Sequence, residues 1–240
     1  MHGRTEYVPS VARERLSLPG SARIAIHLVV NVEVWRYDAK LPRQILGAPH
    51  GAEPIPDVPN YAWFEYGMRV GIWRVFDALA GARGHVTLAT GGAVCEQYPQ
   101  IVEAAVRDGW EMMGHGYEQR AASLIKDERA VIRRTLDVLE QSTGKRPRGW
   151  LGPGLVETAK TADLLAKEGL VYCCDWGPAD DLPFELEVRR GRLVAVPYPL
   201  DMNDIVIYGL EKHADDTLLE RGKRQFDRLY RESERQAKIM

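Results

Sequence analysis

Alternation between apolar strand patterns and helical patterns is the feature that most limits how this chain can fold. Residues 23–33, which read RIAIHLVVNVE, are rich in β-branched side chains and predict a buried strand. From residue 67 onwards, apolar spacings typical of helices alternate with short apolar runs typical of strands. The predicted helices cover 67–82, 94–107, 127–142, 157–168 and 215–238, and the later strands cover 85–89, 109–114, 148–152, 170–175 and 193–199. Because apolar strands between helices are typical of parallel sheets with covered faces, the pattern predicts an α/β fold.

Charge and cysteine content exclude several classes of protein. The 240 residues carry 32 basic and 34 acidic side chains, so the net charge of −2 gives no global attraction to nucleic acid or to anionic membranes. Three cysteines, of which Cys173 and Cys174 are adjacent, form neither a disulfide framework nor a zinc spacing. The apolar stretch 24–32 is too short to span a bilayer. We therefore predict a cytoplasmic protein that binds neither nucleic acid nor membrane.

The sequence divides into a short arm and one domain. Residues 1–22 are polar and are interrupted by Pro and Gly, which predicts an N-terminal arm. Residues 23–240 contain the strand and helix patterns and are predicted to form a single domain. Within this domain, residues 36–60 contain five prolines and predict a long irregular loop. Because the loop directly follows the first strand, we expect it to frame the mouth of a pocket.

Several predicted strands are followed directly by residues suited to a site. These strand-end residues are Glu33, His115, Pro153 and Asp175. In parallel α/β folds, the carboxyl ends of the strands meet at one edge of the sheet, and functional sites gather there. We therefore expect Glu33, His115 and Asp175 to converge at one end of the sheet.

Glu33 and His115 are the two side chains best suited to chemistry. The period of two along a strand places Asn31 and Glu33 on one face, and Glu33 is either a solvated strand end or a base or metal ligand. His115 lies between Gly114 and Gly116, which leave room around an imidazole that can bind metal or relay protons. A structural histidine is the alternative. The sequence contains no GxGxxG, phosphate-binding P-loop or GxSxG motif, so nucleotide binding and a serine nucleophile are not supported.

Six stretches, in this order, resemble the polysaccharide deacetylase superfamily, and most of all its allantoinase-like branch. They are VVNVE (29–33), FEYGMRVGIWR (64–74), GWEMMGHGY (109–117), GKRPRGWLGPG (144–154), YCCDWGPADDLPF (172–184) and VPYPLDMND (196–204). The resemblance covers about residues 20–210. It implies a distorted (β/α) barrel of about seven parallel strands and hydrolysis of a non-peptide C–N bond.

The resemblance also assigns roles to residues. In the metal-dependent members, an aspartate and an HxxxH pair bind a divalent ion, and a second aspartate is the base. Glu33 stands at the metal-carboxylate position and Asn31 at that of the base. His115 stands at the first histidine and Gln119 at the second. Because a Glu/His/Gln set is a poor zinc site, the resemblance implies a metal-free reaction with Glu33 as base and His115 as polarising group. The alternative is a divalent metal such as zinc, held by Glu33 and His115.

Further residues are predicted to contact the substrate. They are Asn31, Tyr117, Trp150, Pro153, Gly154, Asp175 and Asp181. The turn GWLGPG lacks the arginine that the family usually carries there, so the substrate can differ from acetylated sugars and from allantoin. The family's last strand, with a histidine followed by proline, is expected to be missing from this chain, because no histidine follows His213.

The sequence therefore predicts a hydrolase of a small amide, imide or ureide, in which water attacks a carbonyl with help from Glu33 and His115. A metal-dependent carbohydrate N-deacetylase is one alternative. A non-catalytic binding protein on a decayed deacetylase barrel is another, because two of four family site positions have lost their carboxylate or imidazole. No cofactor is predicted, and the resemblance implies a homo-oligomer, either a dimer or a tetramer.

Overall fold

The structure is a computed structural model that describes residues 3–47 and 53–240. Nine short strands occur in these residues: β1 (Ile24–Ala25), β2 (Val29–Val32), β3 (Thr87–Thr90), β4 (Glu111–Gly114), β5 (Gly149–Trp150), β6 (Tyr172–Cys173), β7 (Phe184–Leu186), β8 (Leu193–Ala195) and β9 (Lys238–Ile239). Seven of them form the main sheet in the order β2-β3-β4-β5-β6-β8-β7. The predicted α/β fold with a mostly parallel sheet is confirmed.

The sheet differs from the prediction at its ends. Strands β2 to β6 and β8 are parallel neighbours, but β7 pairs with β8 in the antiparallel direction. The first predicted strand is two strands, since only β2 joins the main sheet and β1 pairs with β9. Strand β9 follows the last helix and contains no histidine. Within the described residues, backbone hydrogen bonds do not close the sheet into a ring.

Seven α-helices cover the sheet in the described part of the chain: α1 (Val58–Tyr66), α2 (Ile72–Ala78), α3 (Gly92–Gln97), α4 (Pro99–Arg107), α5 (Glu128–Thr143), α6 (Thr161–Lys167) and α7 (Thr217–Glu232). A π-helical segment, Gly67–Gly71, joins α1 to α2. The first helix therefore begins nine residues before the predicted 67, because Asp57 caps it and Pro59 fits its first turn. Pro99 begins a new helix and so divides the predicted 94–107 helix in two.

The predicted loop over residues 36–60 is irregular as far as Asp57, and its residues 48–52, including Pro49 and Gly51, lie outside the described residues. The buried side chain of Asn60 fixes one stretch of it. Its Oδ1 accepts hydrogen bonds from the backbone amides of Ile45 and Leu46, and its Nδ2 donates to the Leu46 carbonyl and to Asp57. The loop is therefore held against the start of α1.

The predicted N-terminal arm packs against the domain over its described residues. Arg4 pairs with Asp163, and Arg13 pairs with Asp180. The Leu16 amide donates to Gln236 near the end of the chain. The division into an arm and one domain remains a prediction.

Neighbouring residues on each strand alternate between two cores. On the helix side, Leu88, Met112, Trp150 and Cys173 pack against the helices. The next residue of each strand, namely Ala89, Met113, Leu151 and Cys174, joins a separate inner cluster. The period of two fixes this division, because successive side chains point to opposite faces. Asn31, Glu33 and His115 fall on the inner side by the same count.

Candidate active site

The inner face of the sheet brings Glu33 and His115 together. Glu33 follows β2 and His115 follows β4, and these strands lie on either side of β3. The Nε2 atom of His115 lies 3.1 Å from Oε1 of Glu33. The imidazole is 3% exposed and the carboxylate 21% exposed. Glu33 is therefore the member of the pair that faces solvent, with His115 behind it.

The contacts of His115 show where the protons lie. Its Nδ1 is 2.6 Å from the Leu151 carbonyl oxygen, which only accepts hydrogen bonds, so Nδ1 carries a proton. Its Nε2 faces a carboxylate oxygen, so a proton also lies between Nε2 and Glu33. Burial alone would lower the pKa of His115, but the hydrogen bond and charge of Glu33 outweigh it and raise that pKa. Both contacts and the raised pKa favour a protonated His115 beside an ionised Glu33.

Glu33 is held by three side-chain donors. Besides His115, the amide of Gln119 donates to Oε1 at 2.9 Å, and the indole of Trp35 donates to Oε2 at 2.8 Å. Burial alone would raise the pKa of Glu33, but His115, Trp35 and the nearby Arg43 outweigh it and hold the pKa below its ordinary value. The carboxylate is ionised and fixed in one orientation.

Asp175 takes part in a second, deeper contact. Its Oδ1 accepts from the backbone amide of Gly152, where a Cβ would come within 2.8 Å of Oδ2. Burial together with the charge of nearby Glu157 raises the pKa of Asp175 to about 8. Burial likewise raises the pKa of Glu157. Two buried carboxyl groups therefore lie near each other at the Gly152 turn, and Oδ2 of Asp175 and Oε1 of Glu157 have no hydrogen-bond partner among the described residues.

Asn31 contacts Tyr198, which follows β8 and so comes from a distant part of the chain. Its Nδ2 donates to the hydroxyl of Tyr198 at 3.0 Å, and Nδ2 of Asn203 donates to the same oxygen at 3.0 Å. The Tyr198 side chain packs on the inner cluster. Asn31 therefore lies beside Glu33, as the strand period predicts. The Tyr198 hydroxyl that it contacts was not among the predicted site groups.

The other predicted substrate contacts lie elsewhere, apart from the turn after β5. Trp150 is in the helix-side core, where its ring packs on Gly114. Tyr117 donates to Glu96 and accepts from Arg134 on the outer surface. Asp181 pairs with Lys238 at 3.1 Å. Pro153 is buried against Gly116, and Gly154 turns with φ 67° beside Val156. Of these predicted contacts, only Pro153 and Gly154 lie near His115, because they closely follow Leu151, whose carbonyl contacts the imidazole.

A divalent metal fits this donor set poorly. Within residues 3–47 and 53–240, no group of three or more His, Cys, Asp or Glu side chains is placed to hold a metal ion. The third candidate ligand is Gln119, whose amide donates its hydrogen to Glu33. An amide oxygen is a weak zinc ligand, and the Glu33 oxygen nearest His115 already accepts two hydrogen bonds. Oε1 of Gln119 is buried without a hydrogen-bond partner among the described residues, but one amide oxygen together with Glu33 and His115 makes a weak zinc site.

Four residues that sequence reasoning missed contribute to the site: Trp35, Arg43, Glu157 and Tyr198. Trp35 is placed by stacking on Phe64, at 5.4 Å between ring centroids, which no local pattern reveals. Glu157 lies in an irregular stretch before α6 and meets Asp175 only in the folded chain. Tyr198 lies inside the VPYPLDMND stretch, so the resemblance gave a signal for it. Among the described residues, Nη1 of Arg43 is buried without a hydrogen-bond partner.

Gly177 sets the position of Tyr198. A Cβ at Gly177 would lie 2.4 Å from the Tyr198 backbone nitrogen, so Gly177→Ala should destabilise the fold by about 1–3 kcal/mol. Gly67→Ala is the matched control, since Gly67 has helical φ and ψ with nothing within 4 Å, and it should stabilise by about 0.4–1 kcal/mol. Urea unfolding of both variants checks the prediction. A Gly177→Ala protein with the same urea midpoint as wild type would show that Tyr198 can shift without cost and that Gly177 does not fix its position.

Comparison with known proteins identifies the fold. The family model of polysaccharide deacetylases matches residues 57–173, a range that includes His115 and Gln119 but begins after Glu33. This match covers just under half of the chain. The predicted resemblance is thereby confirmed, and the deacetylase family consists of hydrolases that act on C–N bonds.

Individual relatives show how far the similarity extends. The peptidoglycan deacetylase of Helicobacter pylori is 28% identical over 125 residues, which is 51% of this chain and 42% of the relative. A Schizosaccharomyces pombe protein named as a polysaccharide deacetylase is 25% identical over 218 residues, or 78% of this chain and 66% of that protein. The chain thus spans less than two thirds of both relatives.

One solved structure matches this chain over nearly the chain's full length. PuuE allantoinase superposes with a TM-score of 0.75 and 25% identity, covering 98% of this chain and 83% of that one. The predicted (β/α) barrel architecture follows from this match together with the mostly parallel sheet. Among the described residues, no helix combines the length and the apolar character that crossing a membrane requires.

Proposed function

We propose that this protein hydrolyses a non-peptide C–N bond in a small amide, imide or ureide, with Glu33 as the base. The observation that carries the proposal is the contact of Glu33 with His115, in which a solvent-facing carboxylate is oriented by three donors. A base must be ionised, fixed and within reach of water, and Glu33 meets these conditions. The polysaccharide deacetylase domain and the allantoinase-like fold support this reaction class.

Each proton in the proposed reaction has a place. Glu33 takes a proton from a water molecule, whose oxygen attacks the substrate carbonyl. The imidazolium of His115 lies behind Glu33 and stabilises the negative charge that develops in the tetrahedral intermediate. Protonated Glu33 then gives the proton to the leaving nitrogen as the C–N bond breaks. The products are a carboxylic acid and an amine or amide.

A substrate panel tests the proposal. The purified chain would be incubated with succinimide, hydantoin, allantoin and chitin oligosaccharides, with and without added zinc, and product would be followed by mass spectrometry. We expect hydrolysis of at least one ring substrate in the absence of zinc. Release of acetate from the oligosaccharides with zinc alone would favour the N-deacetylase alternative, which the peptidoglycan deacetylase relative supports. Binding without any product would favour the non-catalytic alternative.

Metal content gives an independent prediction. A chelator should leave wild-type activity unchanged, because Asn31 and Gln119 replace groups that the metal-dependent members use. The double variant Asn31→Asp with Gln119→His should bind zinc more tightly than wild type, which calorimetric titration measures. A wild-type protein that contains one equivalent of zinc and loses activity with chelator would refute the metal-free mechanism. Glu33 and His115 would then be ligands.

Compartment and assembly are also part of the proposal. Cys95, Cys173 and Cys174 are free thiols, which agrees with a reducing cytoplasm. The family resemblance implies a homo-oligomer, and sedimentation velocity would distinguish a dimer or tetramer from a monomer.

A further inference from the structure

Tyr198 presents a hydroxyl group beside the proposed base. Asn31, which binds this hydroxyl, and Glu33 are two residues apart on one extended segment, so their side chains stand on the same face about 6–7 Å apart. Tyr198 also contacts the inner cluster that fills the sheet below the site. The hydroxyl therefore lies beside Asn31, on the same inner face of the sheet as the Glu33 carboxylate.

The direction of the hydrogen bonds leaves the Tyr198 proton free. Oδ1 of Asn203 accepts from the Ile205 amide at 3.1 Å, which fixes that side chain with its Nδ2 towards Tyr198. Asn31 also presents its Nδ2. A phenol oxygen has two acceptor positions and one proton, and these two amides fill both acceptor positions. No described residue accepts the remaining proton, and burial keeps it in place by raising the pKa of Tyr198 to about 12.

We infer that Tyr198 is a specificity-determining residue that donates its hydroxyl proton to a second acceptor oxygen of the substrate, away from the carbonyl that water attacks. This inference rests on the proposed function and narrows its substrate to small rings with two acceptor oxygens, such as cyclic imides and cyclic ureides. One oxygen belongs to the carbonyl beside Glu33. The other accepts the hydrogen bond from Tyr198.

The asparagine at position 31 is what makes Tyr198 a donor to ligands. A carboxylate at this position would accept the hydroxyl proton and leave none for a substrate. Asn31→Asp restores the residue type of the family's base and should nevertheless weaken substrate binding. If position 31 had simply lost a catalytic base, Asn31→Asp would instead be expected to improve the protein's function.

The test compares two ligands that differ by one oxygen. Succinimide has two ring carbonyls, and 2-pyrrolidinone is the same ring with one. Isothermal titration would measure the Kd of each for wild type, Tyr198→Phe, Asn31→Asp and Tyr208→Phe. Tyr208 is the matched control, because its hydroxyl donates to the Asp215 carbonyl at 2.8 Å, outside the site.

The expected pattern is specific to the second oxygen. Tyr198→Phe and Asn31→Asp should each weaken succinimide binding about 3- to 15-fold, the value of one lost hydrogen bond, while leaving 2-pyrrolidinone unchanged. Tyr208→Phe should change neither Kd. Equal losses for both ligands, no loss for succinimide, or no succinimide binding by wild type would each overturn the inference. Binding with this pattern but without hydrolysis would refute the proposed function and leave the inference standing.

Discussion

Replacement of Glu33 by Gln should lower the rate of hydrolysis about 10²–10⁴-fold, with the melting temperature nearly unchanged. Gln has the shape of Glu and retains an oxygen that accepts from Trp35. Without the Glu33 charge His115 becomes neutral, and its Nε2 can accept from the new amide, so no buried charge is left unpaired. The amide of Gln cannot take a proton from water. The defect should lie in kcat, because the remaining substrate contacts are intact. Steady-state kinetics on whichever ring substrate the wild type hydrolyses would measure it.

Controls separate a lost base from a damaged fold. Glu53→Gln makes the same chemical change at a surface ion pair with Lys40 and should leave the rate unaltered. A Glu33→Gln protein that keeps more than a tenth of the wild-type kcat would contradict the assignment of Glu33 as base. The pH profile adds a second control, since the acid limb of the wild type should fall below the ordinary pKa of a glutamate and disappear in the variant.

His115 behaves differently because it is buried. His115→Ala should lower the rate over a similar range, but it also removes the donor to the Leu151 carbonyl and the cation beside Glu33. Leaving a buried carbonyl and a partly buried carboxylate without this partner destabilises the fold. We therefore expect a lower melting temperature for His115→Ala, unlike Glu33→Gln.

The sequence predicted those parts of the site that depend on strand period and strand ends. Glu33 and His115 follow parallel strands, so their meeting required no knowledge of loops. Asn31 was placed by the same count. The period of two also explains why Trp150 is in the core, because it precedes Leu151, which faces inward. The alternation could have been read from the sequence, but Trp150 was predicted to contact the substrate because the resemblance includes the whole GWLGPG turn.

Contacts made across the fold were beyond sequence reasoning. Glu157 reaches Asp175 from the stretch before α6, and Tyr198 reaches Asn31 from the stretch after β8. Their partners depend on how loops of different lengths fold back over the sheet. Strand β7 was missed for a related reason, since it is a three-residue antiparallel edge strand whose pairing with β8 comes from a hairpin.

The Glu157–Asp175 pair predicts an unusual dependence of stability on pH. The charges of Arg4 and Glu128 act on Glu157, and the charge of His115 acts on Asp175. Because the pKa of Asp175 is raised to about 8 in the folded state, the folded chain binds a proton that the unfolded chain has released above about pH 4. The free energy of unfolding should therefore fall as pH rises from about 4 to 8, by up to about 1.4 kcal/mol for each pH unit.

Asp175→Asn should abolish this slope and make the protein more stable than wild type at pH 8. The amide of Asn has no titratable proton, and its oxygen can still accept from Gly152. Urea unfolding at pH 5, 6, 7 and 8 measures the slope, and Asp227→Asn, on the exposed surface of α7, is the matched control that should keep the wild-type slope. A flat wild-type profile, or an Asp175→Asn profile parallel to it, would show that the pair is ionised at neutral pH. The Gly152 turn carries the Leu151 carbonyl that binds His115, so loss of the Asp175 proton should also loosen the site. Activity should therefore fall above about pH 8 in wild type and persist there in Asp175→Asn.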